Sequence, residues 1–234
     1  MSIKLSMKVG AFVLNYKRPD TTPKTVDSLL HQTIPPTKVY VFNNNPDTIV
    51  NYHGCVNINS QENFGCIVRH MLAVTRDFDY CLFVDDDVVL RPGAIENFLR
   101  YVERYPDSVL GYYGRNLIKD SNILYTMSVG TFLTNKEMEV DVVLGMVHFC
   151  RPAKLINSLI ISKSIPDLPL TEDDIILSLG NKYIDKAKNY IIPYDNSNGP
   201  ISLNSEHKGL SASPGHLERR RDAVRRILTW AGEL

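Results

Sequence analysis

The 234-residue sequence lacks any imbalance of charge: Lys plus Arg and Asp plus Glu both number 26. No one-signed field is therefore available to draw in nucleic acid or an anionic membrane, although charge can still cluster locally. Cysteine is scarce, and the four residues Cys55, Cys66, Cys81 and Cys150 show neither CxxC nor zinc-type spacing. They are read as reduced, packed thiols, which fits a cytoplasmic protein. No apolar run is long enough for a membrane span, and no small-residue cleavage pattern follows the apolar patch in MSIKLSMKVGAFVLNYKRPD, so the expectation is a soluble chain without a signal peptide. Phosphate loops are missing too. There is no GxxxxGK[ST] and no GxGxxG in the first β-α turn, which counts against the common mononucleotide and dinucleotide folds, and no GxSxG serine elbow.

What is present is an alternation of strand-length apolar runs with helical patterns, the mark of an α/β layer structure with parallel strands. KVGAFVLNY is followed by TPKTVDSLLHQT, whose Val26, Leu29 and Leu30 share a helical face. KVYVFNNN and CVNINS read as the second and third strands, residues 63–76 as a helix with Ile67, Met71 and Val74 on one face, and YCLFV as the fourth strand. Pro92 suits a first helical turn, and IENFLRYVERYP is an amphipathic helix closed by Pro106. The second half is β-rich in SVLGYYGR, NILYTMSVGTFL and VDVVLGMVHFC, where mixed or antiparallel pairing is expected. A helix at TEDDIILSLGNKY, a strand at NYIIP, an irregular stretch over 195–215 and a basic helix from His216 to Trp230 complete the chain. The length suits one domain over residues 1–234.

Ligands of open α/β sheets bind at the carboxyl ends of parallel strands, and polar residues sit at those ends here. The most unusual are Asp85, Asp86 and Asp87, three consecutive acids closing the apolar run CLFV. If the strand continues through them, Asp85 and Asp87 face one way and Asp86 the other. Such oxygen donors suit Mg²⁺ or Mn²⁺, which would relieve the repulsion; a solvated acidic loop is the plainer alternative. A second run, Glu172 to Asp174, opens a helix, where acids serve either ordinary capping or as a general base toward an acceptor hydroxyl. The arginines of HLERRRDAVRR form either a solvated face or a diphosphate clamp, and His216 beside them is either structural or a metal ligand. Gly145 marks either a bulge or a close approach by ligand or backbone. His148 and Cys150 read as core.

Taken in order, FVLNYKRPDTTPKTVDSLLHQTIPPTKVYVFNNN, VDDD and EDD resemble the glycosyltransferases of the GT-A fold, a Rossmann-like nucleotide-binding half joined to a mixed-sheet acceptor half. RYPDSVLGYYGR, TEDDIILS and GHLERR are most similar to exostosin-like N-acetylhexosaminyltransferase domains. The likeness spans roughly residues 8–228, with residues 8–110 implied to bind the nucleotide-sugar and 111–234 the acceptor. It implies transfer of a hexosyl-type sugar from a nucleoside diphosphate donor, with UDP expected, to a glycan or other hydroxyl acceptor. Position by position it implies Arg18, Asn44 and Arg69 around base and ribose, and Asp85 and Asp86 on ribose or sugar hydroxyls. Asp87 would bind Mn²⁺ or Mg²⁺, Asp173 and Asp174 would sit by the transferred sugar and acceptor, and Arg220 would clamp the diphosphate. It favours retention of anomeric configuration, although an acid by the acceptor also suits inversion. A nucleotidyltransferase of related fold and a non-catalytic sugar- or nucleotide-binding module remain the alternatives, and no nucleic-acid partner is implied.

Overall fold

The computed structural model describes residues 7–118, 124–125 and 129–234. In the first half, four apolar runs become β1 (Val9–Asn15), β2 (Lys38–Asn43), β3 (Val56–Asn59) and β4 (Tyr80–Asp85), separated by α1 (Thr22–Leu30) and α2 (Val68–Val74). A short β5 (Val88–Leu90) and α3 (Ala94–Val102) follow. These four strands are parallel in the order β3-β2-β1-β4. The second half adds β6 (Leu110–Gly111), β7 (Tyr113–Arg115), β8 (Leu117–Ile118), β9 (Leu124–Tyr125), β10 (Val129–Gly130), β11 (Met138–Val140), β12 (Val142–Val143) and β13 (Val147–Cys150). It closes with α4 (Pro152–Ser164), α5 (Asp173–Tyr183), β14 (Asn189–Ile191), β15 (Pro200–Ser202) and α6 (His216–Trp230). β13 joins β4 antiparallel, and the eight-stranded sheet continues through β6 and β14 to β11. The expected change from parallel to mixed pairing therefore falls at β4, the strand that carries the aspartates.

Period-two alternation divides the core. Val9, Ala11 and Val13 of β1 and Leu82 and Val84 of β4 pack with Val26 and Leu29 of α1 and Ile95 and Phe98 of α3. Phe12, Cys81 and Phe83 point to the opposite face, toward Ala73 of α2, Leu155 of α4 and Leu177 of α5. A third cluster, with Ile161, Ile175, Ile176, Val224 and Ile227, binds α6 to α4 and α5. The thiols are free, with Cys81 and Cys150 buried in register on adjacent strands.

Several elements differ from expectation. The helix expected over residues 63–76 begins only at Val68, because Gly65 takes φ 73° in the turn before it. Its buried face carries Val68, Arg69, His70 and Ala73 while Met71 is exposed, so polar contacts rather than apolar periodicity set its rotation. The third helix ends at Val102, before the turn that leads to Pro106. α4 is an unforeseen helix: PAKLINSLIISKS is rich in β-branched residues, and Ile156 and Ile160 stay exposed, which blurs its helical period. The stretch 195–215 is not wholly irregular, since β15 pairs antiparallel with β5 and a 3-10 turn covers Leu210–Ala212. Most of NILYTMSVGTFL falls on residues 122–128, of which only 124–125 are described. No described helix is long and apolar enough to cross a membrane.

Candidate active site

β4 ends at Asp85, and residues 86 and 87 turn out of the sheet. The expected alternation therefore fails: Asp86 and Asp87 face the same partner. Arg18 Nη1 lies 2.6 Å from Asp86 Oδ1 and 2.7 Å from Asp87 Oδ2. Asp86 also accepts from the Tyr16 backbone N–H at 2.8 Å. Lys17, with φ 58°, makes the left-handed turn that brings Arg18 back to this tip. Asp85 accepts instead from Arg69 Nη1 at 3.0 Å. The acidic tip is thus held by two guanidiniums, a source of relief that the sequence reading assigned to a metal. Burial still dominates the ionisation of two of the acids. It pushes Asp85 up to about 7 against the pull of Arg69, and Asp86 up to about 6 against that of Arg18.

The second acidic run opens α5 beneath the same cavity. Asp173 receives Arg69 Nε at 2.5 Å and Nη2 at 3.1 Å, and lies 3.4 Å from His70 Nε2. Burial alone would raise its carboxyl, but Arg69, His70 and the local hydrogen bonds outweigh burial and lower it. Asp174 takes both Nη atoms of Arg220, at 3.1 and 2.9 Å, and the backbone N–H of Gly145 at 3.1 Å. Glu172 accepts from Arg220 Nη1 at 2.9 Å, and burial lifts it to about 7 with Arg220 opposing and Asp174 assisting. Each of three arginines therefore bridges two carboxylates: Arg18 binds Asp86 and Asp87, Arg69 binds Asp85 and Asp173, and Arg220 binds Glu172 and Asp174.

These nine residues line one cleft of about 510 Å³, within the range of a small-molecule site. Of the residues expected at the site, Asn44 alone lies outside its lining. Its amide donates to Asn63 Oδ1 at 2.7 Å and Gly65 O at 3.1 Å, and accepts from the Phe64 N–H at 2.9 Å, so it braces the turn before α2. Arg220 lines the cleft but spends its guanidinium on acids. Tyr16, Arg115, His207 and Lys208 are lining residues that sequence reasoning did not select. Tyr16 and Arg115 had a weak signal in their positions, just after β1 and at the end of β7, whereas His207 and Lys208 sit in a loop with no pattern.

Residues 203–213 wall the open side. Leu203 N–H donates to Asp87 O at 2.7 Å, and Arg18 Nε reaches His207 O at 3.4 Å. A Cβ on Gly209 would stand 2.4 Å from Arg18 Nη2, so only glycine allows this approach. Gly145 faces Arg69 and Asp174 at ordinary contact distance, its hypothetical Cβ lying 3.4 Å from Arg69 Nη2 and 3.5 Å from Asp174 Cβ. His216 also lines the cleft. Its Nδ1 is buried without a hydrogen-bond partner among the described residues. Burial lowers its pKa, with Arg220 and Arg219 adding to the effect.

The donor set fits a hard divalent cation at one carboxylate. Asp87 is 28% exposed toward the cleft, and Mg²⁺-type ions are commonly held by one or two carboxylates together with substrate phosphates. The three triplet carboxylates do not converge on a point. Among the described residues the only three-ligand convergence is His70, His148 and Asp173, the two histidines lying behind the cleft wall that Asp173 helps to form.

Residues 11–154, more than half of the chain, match the sequence profile of glycosyl transferase family 2. The chain belongs to glycosyl transferase family 2. That membership favours glycosyl transfer over the nucleotidyltransferase alternative. A comparison with curated proteins returned no match. Among solved structures, the fold is similar to that of Staphylococcus aureus TarS in complex with UDP-GlcNAc, with a TM-score of 0.64 and 15% identity over 95% of this chain and 67% of that one. It is also similar to GalNAc-T7 with UDP, GalNAc and Mn²⁺, with a TM-score of 0.67 and 10% identity over 97% of this chain. The chain spans half the length of that GalNAc-T7 chain. At these identities the likeness is one of fold, and it establishes the GT-A architecture.

Proposed function

We propose that this family 2 glycosyltransferase moves an N-acetylhexosamine from its UDP donor to a hydroxyl of a glycan or other acceptor, with Mn²⁺ or Mg²⁺ held at Asp87. The observation that carries the reading is the set of six carboxylates bridged in pairs by Arg18, Arg69 and Arg220 around one cleft at the end of β4. Its acids outnumber its arginines, which suits a diphosphate that arrives with a divalent cation. The choice of donor is supported by the UDP-GlcNAc of TarS and the UDP and GalNAc of GalNAc-T7. The division into a donor half over residues 8–110 and an acceptor half over 111–234 belongs to the same proposal.

In this reading Asp85 and Asp86 receive ribose or sugar hydroxyls, and Arg18 and Arg69 keep those acids aimed. A cation at Asp87 would supply Lewis-acid stabilisation of the leaving diphosphate, and His216 Nδ1, buried and without a partner among the described residues, is a candidate additional donor. Arg220 exchanges a carboxylate for the diphosphate as negative charge grows there. That exchange frees Asp174 to take the acceptor's hydroxyl proton, while Asp173 stays bound to Arg69. Asn44 acts at one remove by bracing the turn that leads to Arg69.

A thermal-shift series with nucleoside diphosphates and nucleotide-sugars tests the proposal, run with and without Mn²⁺. UDP and UDP-GlcNAc or UDP-GalNAc are expected to stabilise the protein only with Mn²⁺, and Asp87→Asn to abolish that shift while keeping its own melting transition. Absence of a shift with every nucleotide, or an undiminished shift in Asp87→Asn, would reject the metal-diphosphate site.

A further inference from the structure

His70, on α2, and His148, on β13, are fully buried directly behind the wall formed by Arg69 and Asp173. His70 Nδ1 lies 2.8 Å from Ser158 Oγ of α4. Its Nε2 lies 3.4 Å from Asp173 Oδ2 and 3.4 Å from His148 Nε2. A bare lone pair 3.4 Å from a carboxylate oxygen would be repelled, so the nitrogen beside Asp173 is assigned the proton, and His70 is the Nε2–H tautomer. Its Nδ1 lone pair then accepts the Ser158 hydroxyl. His148 Nε2, which meets the same Nε2–H, must accept, and this leaves its proton on Nδ1. That Nδ1 is buried with no hydrogen-bond partner among the described residues. A buried orphan in a native fold calls for a reason.

We infer that His70 is a positioning residue: its Nε2–H, hydrogen-bonded to His148 Nε2, sets its positive edge 3.4 Å from Asp173 Oδ2, and through Asp173 it fixes the guanidinium of Arg69 and hence the carboxylate of Asp85. The chain of contacts is continuous, since Asp173 holds Arg69 at 2.5 and 3.1 Å and Arg69 holds Asp85 at 3.0 Å. It joins the start of α5 to the tip of β4, the two acidic runs of the cleft. The unpartnered Nδ1 of His148 is the cost of presenting a lone pair to His70 from the sheet side. Both rings stay neutral: burial, with Arg69 assisting, takes His70 down to about 4 and His148 well below its ordinary value. A metal is the competing occupant, because the three ligand atoms lie within 4.8 Å of one another. However, both Asp173 oxygens already bind the Arg69 guanidinium, and a dication would have to sit beside that buried cation.

The geometry of this relay is independent of the proposed sugar transfer, and only its consequence for nucleotide binding rests on that reading. Long-range ¹H–¹⁵N correlation on the ¹⁵N-histidine-labelled full chain at pH 7 reads the tautomers, with His70→Gln and His148→Asn for assignment. The expected pattern is a protonated Nε2 and bare Nδ1 on His70, and the reverse on His148. Nδ1–H on His70, an imidazolium on either ring, or a shift of both Nε2 signals on addition of Zn²⁺ would overturn it. Calorimetric titration with Mn²⁺ and UDP then compares two replacements. Gln keeps an N–H donor near the Nε2 position and is expected to bind within a few-fold of the native chain. His70→Phe should weaken binding about tenfold or more, as loss of a supporting hydrogen bond typically does. Equal loss in both variants, or none in His70→Phe, removes the positioning role. Should the native chain fail to bind Mn²⁺ and UDP, the nucleotide reading falls and the nitrogen signature alone decides the relay.

Discussion

The two acidic runs meet one electrostatic problem in different ways. Asp85 to Asp87 leave a strand end, and Asp85 and Asp87 remain 41% and 28% exposed to the cleft. Glu172 to Asp174 open a helix and are nearly sealed from solvent. In the first run, desolvation outweighs the neighbouring arginines and raises both Asp86, which is nearly sealed, and Asp85, which opens to the cleft but lies deep within its walls. In the second, Asp173 has a guanidinium on both oxygens and is lowered. The difference separates a tip that can still accept ligands from a base that is mostly prepaired. Arg69 belongs to both runs, so it couples them.

Removing Arg69 should therefore break the comparison most severely. Arg69→Met leaves Asp173 buried and Asp85 without its cation, and breaking a buried pair from one side costs about 3–5 kcal/mol. Urea denaturation should show a loss of that size at pH 7. A loss below about 1 kcal/mol, the scale of an exposed pair, would mean that solvent already screens both acids.

The acids also differ in the sign of their pH dependence. Glu172 is raised to about 7, so its contribution is fully present below its unfolded pKa and lost as pH rises through 7. Asp173 is lowered, so its contribution is present above its unfolded pKa and lost as pH falls through the folded one. Melting temperature should accordingly fall from pH 5 to pH 8, and fall again on the acid side below about pH 4, the ordinary carboxylate range. Asp85 and Asp86, raised to about 7 and about 6, add to the upper limb, so Glu172→Gln should make that limb shallower and leave the acid limb in place. A melting curve whose upper limb is unchanged in that variant would assign the limb to other groups.

Much of this arrangement was legible because strand ends and helix starts are local. The run CLFVDDD shows both a buried strand and its acidic tip, and TEDDIILS shows a helix with acids at its start, although Glu172 at the cap position binds Arg220 and makes no capping bond. What stayed hidden is pairing across the chain. Arg69 and Asp173 are 104 residues apart, and His70 and His148 are 78 apart. Nothing in VRH or VHFC marks them as neighbours. The same long-range contacts rotated α2 away from its apolar period, and the exposed isoleucines of α4 concealed a helix. Asn44 misled for the opposite reason: an Asn at a strand end looks like a ligand but serves the turn after it equally well.

Gly209 offers a smaller perturbation, confined to the first run. A methyl group there would meet Arg18 Nη2 at 2.4 Å, so Gly209→Ala must push the guanidinium from Asp86 and Asp87 or lift the loop. Overpacking of this kind costs about 1–3 kcal/mol. The Mn²⁺-dependent shift with UDP should shrink at the same time. An unchanged melting temperature and an unchanged shift would show that the loop is not seated on Arg18 in solution.

Gly145 is the counterpart at the second run and should give the smallest change. Its Cβ would lie in ordinary contact with Asp174, 3.5 Å from that Cβ, and at 3.4 Å from Arg69 Nη2. Its φ is not positive, so alanine brings no backbone strain and restricts the unfolded chain by about 0.4–1 kcal/mol. Gly145→Ala should therefore melt within a degree or two of the native protein. The methyl group nevertheless stands between Arg69 and Asp174, where the transferred sugar is proposed to lie. UDP, which has no sugar there, should bind as before, whereas UDP-GlcNAc should bind more weakly. Equal weakening of both would place the added methyl against the diphosphate, and weakening of neither would move the sugar away from the start of α5.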